Sequence, residues 1–142
     1  MRRSVWFFTR PRTSGVHAIA LTPDRRIILV TLSYARGWRL PGGGRKQGED
    51  PETAIRRELA EEIGMTACGA VRDVGQFSHR PDYRQDRSSL FVVENVCYRP
   101  RWSLEIRAVR AFDLDSLPAD TAPITHRLIA AAGDEIRTFQ GR

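Results

Sequence analysis

From Gly43 to Met65 the chain reads GGRKQGEDPETAIRRELAEEIGM, and this segment constrains the fold more than any other. A glycine-rich stretch leads to Asp50-Pro51, a suitable N-cap followed by proline at the first helical position. Gly64 stands where a helix ending at Ile63 would need a terminator. The spacing between these signals predicts a helix of about three turns. At about 100° per residue from Ala54, the residues Ile55, Leu59 and Ile63 fall near 100°, 140° and 180°. Glu58, Glu61 and Glu62 fall near 40°, 340° and 80° on the same wheel. The helix therefore carries an apolar stripe roughly a quarter-turn from an acidic one, and one side can be buried while the other faces a cleft.

The acidic stripe works against stability. Carboxylates at i, i+3 and i+4 are helical neighbours about 5–6 Å apart. At an effective dielectric near 20 each like-charge pair costs roughly 3 kcal/mol, less where water screens it. A divalent cation with oxygen ligands would convert that repulsion into binding energy. A solvated acidic face fits the same spacing.

The segment resembles the Nudix box of the Nudix (MutT-like) hydrolases. That pattern is glycine, five residues, glutamate, seven residues, Arg-Glu, an aliphatic, any residue, Glu-Glu, any residue, glycine, and an aliphatic. Here Gly43, Glu49, Arg57, Glu58, Leu59, Glu61, Glu62, Gly64 and Met65 fill it with no fixed position missing. Seven strict positions at background frequencies give a chance match on the order of 10⁻⁹ per start site. The upstream Trp38-Arg39-Leu40-Pro41-Gly42-Gly43 resembles the family's lead-in. Lys46 departs from the many members that carry a second acidic residue there.

The resemblance implies the Nudix fold, an α/β/α sandwich with a mixed sheet, and hydrolysis of a diphosphate bond with Mg²⁺, or Mn²⁺, as cofactor. It assigns Glu58, Glu61 and Glu62 as metal carboxylates, with the Gly42 carbonyl as a further ligand. Glu58 is also a general-base candidate. Arg57 is expected to orient its glutamate neighbours through Glu49, a role compatible with a plain ion pair. Gly43, Glu49 and Gly64 are the structural positions of the box. Glu105 resembles a position where some members place an extra metal-binding or water-activating carboxylate; an ordinary strand-edge glutamate fits equally.

Composition agrees with a small enzyme. The chain has 142 residues, enough for one domain over 1–142, with 41% hydrophobic and 28% charged residues. No stretch approaches the ~20 apolar residues that span a bilayer. The basic-then-apolar start, Met1 to Phe8, is interrupted by Arg10 too early for a signal sequence, which points to a leading strand or packed arm and a cytoplasmic location. A net charge of +6 raises nucleic-acid binding. The basic residues are arginines apart from Lys46, and they are spread along the chain, so no DNA binding is expected. A homodimer is compatible with all of this. Cys68 and Cys97 lack metal-type spacing and read as reduced core thiols; His17, in an apolar run, reads as structural.

Along the chain, Val16 to Leu21 and Ile27 to Leu32 read as strands around a turn at Thr22 to Arg25. A loop from Tyr34 to Gly37 leads to a short strand with Trp38 and Leu40, then a glycine turn. After the helix, Ala67 to Gly75 reads as a strand, Ser78 to Ser89 as the longest loop, Leu90 to Tyr98 and Ile106 to Phe112 as strands, and Ile124 to Phe139 as one packing helix. The order suggests an α/β sandwich.

Substrate recognition is expected from Arg39 beside the glycine stretch and from Arg80, Tyr83 and Arg84, where cations and an aromatic could hold phosphates and stack a base. A solvated loop is the alternative for 79–87. In the family, a proline about fifteen residues past the box hints at ADP-ribose and a tyrosine slightly further at dinucleoside polyphosphates; Pro81 and Tyr83 are both present. The expected substrate is a nucleoside diphosphate linked to another moiety: a nucleotide sugar, an ADP-ribose-like compound or a (deoxy)nucleoside triphosphate. The alternative is a nucleotide-sensing or RNA-5′-end-binding module with little or no turnover.

Overall fold

The computed structural model describes residues 14–78 and 87–140. Its elements are β1 (Ser14–Leu21), β2 (Ile27–Leu32), β3 (Ala35–Arg39), β4 (Gly42–Gly44), α1 (Pro51–Glu62), β5 (Met65–Ala67), β6 (Val71–Ser78), β7 (Arg87–Val93), β8 (Cys97–Tyr98), β9 (Ile106–Phe112), α2 (Pro123–Ala131) and α3 (Gly133–Gln140). The expected N-terminal arm and the loop residues 79–86 lie outside the described residues.

β1 is the central strand because its side chains are apolar on both faces, as strands covered on both sides require. Val16, Ala18 and Ala20 pack with Ala54, Ile55, Leu59 and Ile63 of the α1 layer. Ile19 and Leu21 point the other way, into a second core with Leu128, Ala132 and Ile136. β2 and β7 divide in the same way: Ile28, Val30, Phe91 and Val93 face the α1 layer, whereas Ile27, Leu29, Leu90 and Val92 face α2 and α3. Helices thus cover both faces of a mixed sheet, the expected α/β/α sandwich.

β7 runs parallel to β1 along most of its length, from Ser14↔Arg87 to Ala20↔Val93. The other edge of β1 is shared. Its end pairs with β2 through Ala20↔Ile28 and Leu21↔Ile27, and its beginning pairs with β4 through Gly15↔Gly44 to His17↔Gly42. β2 continues into β3 and is flanked by β9. Strands β3 and β4 therefore fill the fork between β1 and β2, which brings the glycine segment to the middle of the sheet.

Several local expectations are corrected. The glycine stretch is a strand, not a turn: a Cβ on Gly42 would lie 2.1 Å from the Val16 carbonyl oxygen, so only glycine pairs this closely with β1. Tyr34 sits in a two-residue turn, and β3 already begins at Ala35. The Ala67–Gly75 and Leu90–Tyr98 runs each split, giving the small β5–β8 pair, and Arg87 to Ser89 belong to β7 rather than to a loop. The last helix breaks at Ala132, whose backbone leaves the helical region just before Gly133. Both cysteines are free, as expected; Cys68 is half-buried against the α1-side core, whereas Cys97 is exposed and is not a core thiol. His17 packs edge-on against Phe77 with ring centroids 5.6 Å apart.

Candidate functional site

α1 begins and ends where its start and stop signals predict. Asp50 occupies the N-cap position in extended conformation but makes no side-chain capping hydrogen bond, Pro51 follows, and Gly64 takes a φ of +74° just past the last turn. Ile55, Leu59 and Ile63 are fully buried. At roughly 1.5–3 kcal/mol per buried aliphatic side chain, that stripe contributes about 5–9 kcal/mol as an upper bound, more than one like-charge contact on the other stripe costs. The apolar stripe anchors the helix, and the acidic stripe is carried with it.

The acidic stripe is not uniformly exposed. Glu58 is 4% exposed, Glu62 half-buried and Glu61 open to solvent. Glu58 lies against Gly43, where a Cβ would stand 2.6 Å from its carboxyl group. Gly43 is therefore a packing requirement of Glu58. Next to it, the Gly42 N–H donates to Glu62 Oε1 at 2.9 Å. The two glycines seat two of the three carboxylates.

Arg57 joins the rest. Its Nε and Nη2 donate to the two oxygens of Glu49 at 2.8 Å each, and Nη2 also donates to the Gly44 carbonyl at 2.9 Å. Nη1 donates to Glu58 Oε2 at 3.1 Å and to Glu61 Oε1 at 3.3 Å. Arg57 thus ties the start of the helix, strand β4 and two acidic-stripe residues together. The bidentate Arg57 contact is the main cause that holds the Glu49 carboxyl down to about 2; the Lys46 N–H, at 2.8 Å, adds to it. The departure at Lys46 thus supports the network through its main chain. Arg57 itself is pushed above its ordinary range, first by Glu49 and then by Glu58.

The oxygen-rich donor set of Glu58, Glu61, Glu62 and the Gly42 carbonyl fits a hard divalent cation by its chemistry. Among the described residues, however, no three acidic, histidine or cysteine side chains are gathered into a ready-made metal cage. The carboxylates rest instead on Arg57 and on the Gly42 N–H.

The outlying expectations separate. Glu105 immediately precedes β9, and its carbonyl accepts from the Ser33 N–H at 2.8 Å. It belongs to the same neighbourhood as the acidic helix. The Tyr34 phenol next to Ser33 is pushed up to about 12, by burial first and then by Glu62, Glu105 and Glu58, with Arg39 opposing. Arg39 therefore also sits at this rim; its Nε donates to the Arg36 carbonyl at 3.2 Å. Arg80, Tyr83 and Arg84 lie outside the described residues. Sequence reading left out Tyr34 and the exposed Trp102, because an isolated aromatic in a loop has no periodicity. The available signal was composition: Trp102 follows Arg99-Pro100-Arg101, an aromatic among cations.

No helix among the described residues is long and apolar enough to cross a membrane. A NUDIX domain model matches residues 11–132. The chain is 34% identical over 118 residues to an RNA pyrophosphohydrolase of Acidiphilium cryptum, covering 80% of this chain and 71% of that protein. It is 35% identical over 83 residues to an RNA pyrophosphohydrolase of Bartonella bacilliformis, covering 52% of this chain and 49% of that protein, so the match spans about half of that relative. The crystal structure of a MutT NUDIX hydrolase from Burkholderia pseudomallei superposes with a TM-score of 0.71 at 25% identity, covering 86% of this chain and 98% of that one. A UDP-X diphosphatase structure shares the fold with a TM-score of 0.66 at 20% identity over 95% of this chain and 72% of that one.

Proposed function

The chain belongs to the Nudix domain family, and from that membership we propose that it is a divalent-metal-dependent pyrophosphohydrolase. Its substrate is a nucleoside diphosphate linked to another moiety: a nucleotide sugar, an ADP-ribose-like compound or a (deoxy)nucleoside triphosphate. The relatives named RNA pyrophosphohydrolase add RNA to the substrates worth testing. The observation that carries the reading is the Arg57 network, which draws Glu49, Glu58, Glu61 and the Gly44 carbonyl onto one guanidinium.

Hydrolysis of a P–O–P bond needs neutralised phosphate oxygens and a water placed for in-line attack. Glu58, Glu61, Glu62 and the Gly42 carbonyl would hold Mg²⁺ or Mn²⁺, which when bound supplies charge neutralisation and an activated water. The chain's own contribution is positional. Arg57 fixes the directions of Glu58 and Glu61, the Gly42 N–H fixes Glu62, and Glu58, buried against Gly43, is the general-base candidate. As water attacks phosphorus its proton passes to the base, and the bridging oxygen leaves with one phosphate. Glu105, whose charge acts on Tyr34 together with those of Glu62 and Glu58, is the further carboxylate proposed to serve water or metal.

A phosphate-release screen over nucleotides and triphosphate-ended RNA with Mg²⁺, run beside Glu62→Gln, tests the reading. Turnover in the wild type that falls at least hundredfold in folded Glu62→Gln is expected. Tight nucleotide binding without turnover of any substrate would instead establish a sensing or RNA-end-binding module. An unaffected Glu62→Gln would remove that residue from the metal set.

A further inference from the structure

The segment between β8 and β9 reads Arg99-Pro100-Arg101-Trp102-Ser103-Leu104-Glu105. Both of its ends are fastened at the acidic helix's rim. The Arg99 N–H donates to the carbonyl of Gly64, just past α1, at 2.8 Å, and the Ser33 N–H donates to the Glu105 carbonyl at 2.8 Å. Within the segment, the Glu105 and Ile106 N–H groups donate to Ser103 Oγ at 3.1 and 3.3 Å, which holds the chain just after Trp102. The segment therefore runs from the end of α1 to the β2–β3 turn, with Trp102 midway.

The large hydrophobic side chains exposed among the described residues are Trp102 at 83%, Leu104 at 63% and Tyr34 at 55%. All three lie on these two stitched segments. Singly scattered exposed apolar residues need no explanation; a group confined to the rim of a carboxylate-lined site does. Arg99 and Arg101 beside Trp102 are exposed, and Arg39 is near Tyr34. An indole that follows two exposed arginines in the chain is suited to a planar base attached to phosphates, because the ring stacks on the base while the cations offset the anionic charge.

We propose that Trp102, assisted by Tyr34, is the stacking platform for the nucleobase of the substrate whose diphosphate is cleaved at α1. The occupant is thus the base of a nucleotide, rather than a second copy of the chain or a lipid surface. This rests on the hydrolase reading, and it adds the segment between β8 and β9 to residues 79–87 as a place of base recognition. Trp102 is a recognition residue and takes no part in bond breaking.

The test compares wild type, Trp102→Ala and Trp102→Phe on a nucleotide substrate with Mg²⁺, using inorganic tripolyphosphate, which has the anhydride but no base, as a competing inhibitor. Trp102→Ala is expected to raise KM about ten- to hundredfold with kcat within about threefold. Trp102→Phe should restore most of the affinity, and tripolyphosphate inhibition should be unchanged. A KM within twofold of wild type in folded Trp102→Ala overturns the platform while leaving the hydrolase reading intact. So does a parallel loss of tripolyphosphate inhibition, or a dimer that dissociates in sedimentation with KM unchanged. If the wild type hydrolyses nothing, titration with AMP decides the matter by tryptophan fluorescence. Quenching that disappears in Trp102→Phe supports the platform alone, and quenching that persists, or is absent from the wild type, overturns it.

Discussion

Arg57 and Arg25 each pair with a glutamate that the fold removes from water, and they end in opposite states. The Arg57 side chain, 16% exposed, spends its donors on five contacts to Glu49, Glu58, Glu61 and the Gly44 carbonyl. Arg25, 28% exposed, pairs through Nη1 with Glu94 and reaches the Ile136 carbonyl at 3.5 Å. Its Nε and Glu94 Oε2 are buried without a hydrogen-bond partner among the described residues. Each such orphan costs about 1–3 kcal/mol. The fold tolerates unfinished polar pairing at the far end of β1, beside a cavity of about 560 Å³ lined by Asp113, Ser116 and Ile129 among others. At the acidic helix it pairs the arginine fully. Complete pairing there is what a site must have if its carboxylates are to keep fixed directions, and that is the difference the following experiments probe.

The largest effect is expected at Arg57. Arg57→Ala leaves Glu49, Glu58 and Glu61 without their shared cation, so turnover should fall at least hundredfold and stability by about 3 kcal/mol in urea unfolding. Arg57→Lys should recover part of the stability and little of the rate, because an ammonium cannot reproduce the bidentate contact to Glu49. If Lys restores the rate as well, the network is only a charge balance. Gly43→Ala should lose less of both. The added methyl would stand 2.6 Å from the Glu58 carboxyl, displacing it, with about a tenfold loss of rate and a smaller loss of stability than Arg57→Ala. A Gly43→Ala variant as active as wild type would show that the direction of Glu58 does not matter.

How much of this was legible depends on whether the signal was local. α1, β2 and β9 were readable because caps, proline and periodicity lie within the elements themselves. The wheel also encodes the burial of Glu58, which at about 40° sits between Ala54 and Ile55. The pairing of Gly42–Gly44 with β1 was not readable. Glycine has little intrinsic strand preference, and this strand exists because β2 leaves half an edge of β1 open. The break at Ala132 was hidden because Leu128, Ala132 and Ile136 keep helical spacing across it and are all buried. At the site, the family pattern identified Arg57 and Glu49, but only the folded chain adds the Gly44 carbonyl to the partners of Arg57.

Acid titration probes the same contrast with a smaller effect. The Glu49 carboxyl titrates at about 2 in the folded chain, against an ordinary 4.5, because Arg57 holds its charged form. Between those values the unfolded chain binds more protons, so this residue's contribution to stability is complete above about pH 4.5 and disappears as pH falls toward 2. Urea midpoints measured from pH 6 to pH 2 should fall more steeply for wild type than for Glu49→Gln. Equal slopes would mean that the pair adds nothing to folding.

The smallest effect is expected at the incompletely paired centre, from a double replacement. Arg25→Met alone leaves Glu94, whose side chain is 8% exposed, buried without a counter-charge, and should cost about 2–4 kcal/mol. Glu94→Leu alone should cost less, because Arg25 is exposed enough to turn its guanidinium toward water. Combining the two removes both charges together with the orphaned Nε and Oε2, so the double variant should lie within about 1 kcal/mol of wild type, with turnover within twofold. Denaturant unfolding of all four proteins gives the coupling energy directly. If the double variant were as unstable as Arg25→Met, or lost turnover, the Arg25 pair would be as necessary as the Arg57 network, and the contrast between them would fail.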